Sequence, residues 1–255
     1  MHNYILALVF AVMALLTPLA HAKESITINY LTPANEQEAD ILNVIKESGI
    51  DSLVSELANK RFPFSNTLTI QYGGNEGPMY DPEQHKVHIP YSFYQQSLHY
   101  FTNNKYQERF DKSPQLGAID TLLHTLLHEV GHAYIVDQNI PILGKEEDAV
   151  DNFATIILIN EIDNGADAAI SAADMFAFES DDRPDFYDFG EYIDEHSFDL
   201  QRYFSTLCLV YGSDPDAHKE LLDEVESDYL SERQEFCEFE YQNLSHNWAR
   251  YLKEQ

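Results

Sequence analysis

Residues 120–136 read Asp120-Thr-Leu-Leu-His-Thr-Leu-Leu-His-Glu-Val-Gly-His-Ala-Tyr-Ile-Val136. Leu122, Leu123, Leu126, Leu127, Val130 and Ala133 recur at three- and four-residue spacing. That period is the mark of a buried amphipathic helix. Residues four apart stand one turn above each other, so His128 and His132 point the same way. Two imidazoles so placed can hold one Zn²⁺, at about 2.0–2.1 Å each. Glu129 sits beside them, placed to take a proton from a metal-activated water rather than to bind the metal. Two histidines and a glutamate are costly to bury in so apolar a helix unless they have partners.

Together these residues form the H-E-x-x-H signature of zinc metallopeptidases. A catalytic zinc site needs a third protein ligand and an open position. The candidate follows in Gly144-Lys-Glu-Glu-Asp-Ala-Val-Asp-Asn-Phe-Ala154, where Glu147 and Asp151 are four apart on a helix. Glu147 would ligate the metal, and Asp151 would accept the second ring N–H of a ligating histidine. Glu146 competes, although its i+4 partner is the apolar Val150, and Asp148 with Asn152 is a weaker rival. Carboxylates also favour any helix N-terminus, which accounts for part of this charge. His124 shares the zinc face but lies roughly 12 Å along the axis from His132, too far to join the same ion. His85 and His88, three apart on an expected strand, fall on opposite faces and read as surface residues.

Composition narrows the class. The chain has 255 residues and a formal charge of −29, which disfavours nucleic acid and anionic membranes as partners. Its first 22 residues end an apolar run in Ala20-His21-Ala22, which reads as a signal peptide cleaved before Lys23. A membrane anchor is the alternative, but the run is short and Pro18 breaks it. The expected product is exported, to the periplasm or the medium, with no stable anchor after cleavage. Residues 23–255 suit one domain, sheet-containing to about residue 112 and helical and zinc-binding beyond. Cys208 and Cys237 are the two cysteines. In an exported chain they can pair.

Working outward, Ser25–Leu31 alternates as a strand, and residues 36–57 carry one or two helices interrupted at Ser48-Gly49. Leu68–Tyr72 and Lys86–Ile89 read as strands of a hairpin or meander across the irregular segment Gly73–Pro82. Tyr91–Phe110 is helical. Pro114 and Gly117 punctuate the chain before the motif helix, which Asn139-Ile140-Pro141 ends. Helices are expected at 146–162, 168–178, 199–211, 215–225 and 231–253, with an acidic aromatic loop at 179–195. The fold class is α+β, mainly helical, with a small N-terminal β-sheet and a helical C-terminal part.

The loop ends in Asp194-Glu195-His196. His196 is the candidate donor to a developing oxyanion, with Tyr192 and Arg202 as rivals. The ligand pattern resembles that of the gluzincins, the thermolysin-like metallopeptidases with two histidines and a glutamate on zinc. More closely, Pro141-Ile-Leu-Gly-Lys-Glu-Glu-Asp-Ala-Val-Asp-Asn-Phe-Ala154 and Asp194-Glu-His-Ser-Phe-Asp-Leu-Gln-Arg-Tyr-Phe-Ser-Thr-Leu-Cys-Leu-Val-Tyr-Gly212 are similar to segments of a bacterial metallopeptidase family of otherwise unknown function. The resemblance implies a zincin-like core, Glu129 as general base, and peptide or protein substrates. It also implies an edge strand, formed in part by Gly74–Tyr80, that binds substrate backbone by strand addition. Two other readings fit the same residues: a non-catalytic zinc-fold binding protein, and an amidohydrolase acting on a non-peptide substrate.

Overall fold

The computed structural model describes residues 24–183, 186–223, 225 and 227–254. The expected signal peptide, residues 1–22, lies outside them. Strand β1 (Ile26–Tyr30) leads into helices α1 (Glu36–Ser48) and α2 (Ile50–Lys60). Asn35 caps α1 by accepting from the Glu38 amide, and Gly49 separates the two helices at φ +75°. That left-handed conformation suits glycine. Strands β2 (Leu68–Tyr72), β3 (Met79–Asp81) and β4 (Lys86–Ile89) complete the sheet, in the order β1-β2-β4-β3.

The sheet differs from the expected hairpin or meander. β1, β2 and β4 are mutually parallel, and short β3 pairs antiparallel to β4 at the edge. Of the expected edge segment Gly74–Tyr80, only Met79 and Tyr80 are strand, in β3, which ends at Asp81. At Gly77, φ is +96° and a Cβ would lie 2.4 Å from the His88 carbonyl oxygen, so the chain there folds against β4 instead of extending β3. His88 is not a surface residue: it is 5% exposed, beside Gln71 on the neighbouring strand.

Helices α3 (Tyr91–Asn103), α4 (Tyr106–Phe110), α5 (Pro114–Gln138), α6 (Glu146–Glu161), α7 (Gly165–Asp181), α8 (Asp199–Ser213) and α9 (Ser227–Ala249) follow. Pro114 does not precede the motif helix but opens it. Ser113 is its N-cap, accepting from the Leu116 amide, and proline is well suited to the first helical position. Gly117 lies inside the helix because a Cβ there would meet the Phe101 ring at 2.5 Å. The helix expected at 215–225 reduces to a single 3₁₀ turn, Lys219–Leu222. Cys208 of α8 and Cys237 of α9 form a disulfide.

α5 is central, packing against α3, α6, α7, β3 and β4. Leu122, Leu126, Leu127, Val130 and Ala133 are wholly buried, as are Val150, Phe153, Ala154 and Ile157 of α6. Gly131 lets the two helices close: a Cβ there would lie 3.0 Å from the Phe153 ring and 3.1 Å from Val150. Among the described residues no helix is long and apolar enough to cross a membrane.

One charge in this core carries a pH-dependent cost. Asp120 of α5 lies beside Ser171 of α7, and burial pushes its carboxyl up to about 6, against about 3.9 in an unfolded chain. A raised acid supports folding fully below its unfolded pKa, and that contribution is lost as pH rises through the folded one. Asp120→Asn stays neutral. It should stabilise the protein by about 1–2 kcal/mol near pH 7.5 and by little near pH 4. Denaturant unfolding at both pH values checks this, and an equal gain at both would contradict it.

Candidate metal centre

His128 and His132 project from one face of α5 with ring centroids 5.0 Å apart. Glu147, in the first turn of α6, faces both. Its Oε2 is 3.1 Å from His128 Nε2 and its Oε1 is 3.4 Å from His132 Nε2. One donor atom from each of the three residues falls within 4.8 Å of the others. The contacts pair His132 with residues 146–147 and His128 with residues 147 and 151, so α5 and α6 run antiparallel and converge here.

The opposite ring nitrogens are held separately. His128 Nδ1 is 2.7 Å from Asp151 Oδ1, and His132 Nδ1 is 2.8 Å from Glu146 Oε1. Each imidazole thus donates outward from Nδ1 and presents Nε2 to the common point, as ligating histidines do. Asp151 is gripped from behind by Arg202 of α8, whose Nε and Nη2 donate to its two oxygens at 2.7 and 2.9 Å. The Arg202 guanidinium also lies 3.9 Å over the Phe176 ring.

Electrostatics follow this geometry. Burial alone would raise the Asp151 carboxyl, but the Arg202 charge and the hydrogen bonds from His128 and Arg202 hold it far below the usual range. Burial opposes the charged form of Glu147 as well. The imidazoles of His128, His132 and His196, with nitrogens 3.1, 3.4 and 3.0 Å from its oxygens, overcome that and keep it ionised. Burial would lower His128, yet carboxylates on both ring nitrogens bring it up to about 9. Glu129 is 7% exposed, and burial pushes its carboxyl up against the pull of His128 and His132. The backbone amide of Tyr80 in β3 also hydrogen-bonds Glu129, so the sheet edge lies against this carboxyl.

His196 reaches the cluster from the loop before α8, with Nε2 3.0 Å from Glu147 Oε2 and its ring nearly parallel to that of His128. Lys145, the N-cap of α6, donates from Nζ to the carbonyls of Asp194 and His196, both at 3.0 Å. The rivals to His196 lie elsewhere: Tyr192 packs on Tyr187 and Phe198, and Arg202 is committed to Asp151. His124 is buried behind the site, 3.4 Å from Thr155 Oγ1, and burial pushes it down to about 4.

Sequence reasoning treated Glu146 as a rival ligand and missed its place on His132. The signal was available: two ligating histidines have two outer nitrogens, and Asp151 satisfies only one. The grip of Arg202 on Asp151 spans 51 residues and leaves no local trace.

The donor set suits a divalent cation of zinc's character: two imidazoles that ligate once Nε2 gives up its proton, one carboxylate, and outer acceptors already in place. No curated protein and no solved structure matches the chain. A family model described as "Putative metallopeptidase" (DUF4344) matches residues 30–252. That match covers most of the protein, so the chain belongs to this family.

Proposed function

We propose that the protein is an exported zinc-dependent metallopeptidase with a zincin-like core, hydrolysing peptide bonds. The observation that carries this reading is the cluster itself: two Nε2 atoms and one carboxylate within 4.8 Å of one another, beside a buried glutamate. His128, His132 and Glu147 would hold the ion, as in the gluzincin pattern. When bound, zinc supplies Lewis acidity to an attacking water and to the scissile carbonyl.

The chain's own residues divide the remaining work. Glu129, its carboxyl raised by burial, accepts the water's proton and returns it to the leaving amine. β3 is an edge strand, so an extended substrate can pair with its free side. Because the Tyr80 amide already faces Glu129, a chain paired along that edge passes next to this carboxyl. His196 Nε2 donates to the developing oxyanion, and Lys145 fixes the loop that carries it. Asp151 and Glu146 keep both ligating imidazoles in the required tautomer. The Cys208–Cys237 disulfide and the apolar stretch ending at Ala22 support export.

Zinc-loaded protein should cleave members of a mixed peptide library, lose that activity to a chelator, and regain it with about one equivalent of zinc. Undiminished cleavage by metal-free protein would contradict the proposal. So would the absence of any cleavage by the loaded protein.

A further inference from the structure

Two loops meet beside the cluster. The α5–α6 connection presents Leu143, whose side chain is fully exposed. Lys145, two residues on, stitches this connection to the carbonyls of Asp194 and His196. The loop so anchored carries residues 186–195, Phe-Tyr-Asp-Phe-Gly-Glu-Tyr-Ile-Asp-Glu. That segment has its own aromatic packing, with Tyr187 and Tyr192 ring centroids 3.9 and 5.3 Å from Phe198. It nevertheless leaves Phe189 94%, Ile193 87% and Phe186 70% exposed. Apolar side chains held in water on a loop anchored by Lys145 and by its own aromatic packing, next to a candidate active site, mark a surface that something else covers.

The charge between them indicates what. Asp188, Glu191, Asp194 and Glu195 alternate with the apolar residues. Glu191 is answered by Arg183 at 2.6 Å, whereas Asp188, Asp194 and Glu195 face solvent. The Lys145 ammonium is committed to backbone carbonyls. The surface is apolar and negative on a chain of charge −29, so it repels an anionic lipid surface and complements chains that are apolar and positive.

We propose that the rim formed by Phe186, Phe189 and Ile193 with its interleaved carboxylates docks cationic amphipathic peptides, and that these are the preferred substrate class. The proposal rests on the metallopeptidase reading only for the word substrate. Apolar side chains of the peptide cover Phe186, Phe189 and Ile193, and its lysines and arginines meet Asp188, Asp194 and Glu195. Because His196 closes the same loop, a docked chain passes directly over the cluster.

The test uses zinc-loaded Glu129→Gln protein and fluorescence anisotropy of three labelled peptides of equal length. One alternates lysine with leucine and phenylalanine, one replaces every lysine with glutamate, and one replaces every apolar residue with glycine. The first should bind at least about tenfold tighter than either other, and weaken between about 0.02 and 0.5 M salt. Adding Phe186→Ser, Phe189→Ser and Ile193→Ser should cost at least about tenfold in affinity for that peptide, with the thermal midpoint unchanged. Adding Asp188→Asn and Glu195→Gln instead should flatten the salt dependence. Equal binding of the cationic and anionic peptides, or full affinity in the serine variant, would overturn the proposal. Wild-type turnover of a peptide library separates the two readings. Cleavage with no enrichment of basic and apolar residues overturns the docking proposal alone. Selective binding without any cleavage overturns the peptidase reading alone.

Discussion

Glu129→Gln should lower kcat by about 10³-fold or more while leaving zinc content and fold unchanged. The substitution is nearly isosteric at a position 7% exposed, so neither packing nor the ligand triad is disturbed. What disappears is the acceptor for the water's proton, which an amide cannot replace. The Tyr80 amide retains an oxygen to donate to, so the sheet edge stays in place. Turnover and metal content measured on one preparation check this. Activity within tenfold of wild type would assign the proton transfer to another group.

Arg202→Ala should cost about 3–5 kcal/mol of stability, the usual consequence of removing one partner of a buried pair. Asp151 is 11% and Arg202 17% exposed in their side chains, and both carboxylate oxygens accept from the guanidinium. Without it Asp151 keeps only the His128 Nδ1–H. The stacking on Phe176 is lost as well. Arg202→Lys should recover only part, since an ammonium cannot serve both oxygens in a fixed fork. The sign with pH is fixed by the depressed Asp151 carboxyl: the pair's contribution is full above about pH 4 and is lost as pH falls further. A loss below about 1 kcal/mol in denaturant unfolding would mean the pair carries little.

The sequence made legible what depends on local period and spacing. The motif helix, the helix carrying Glu147 and Asp151 four residues apart, and the distance that sets His124 apart all follow from helical geometry. Pairing between distant segments did not. The parallel alignment of β2 with β4 depends on the chain between them looping out to the sheet edge, where Gly77 approaches the His88 carbonyl. Alternation within each strand says nothing of that direction. His88 reads as exposed by periodicity, and tertiary cover at the folded-back Gly77 segment buries it. The outer supports of the site divide the same way. Asp151 is visible as an i+4 partner of Glu147, Glu146 was visible only as a competitor, and Arg202 depends on where α8 docks.

The central claim is a metal centre built from His128, His132 and Glu147. Metal content by mass spectrometry, on mature wild type and Glu147→Ala purified side by side without chelator, tests it most directly. Wild type should carry about one zinc per chain and the variant should lose most of it, since a site short of one of three protein ligands binds far more weakly. No zinc in either protein, even after zinc is added back, would contradict it and leave the α5 histidines as structural residues of the core.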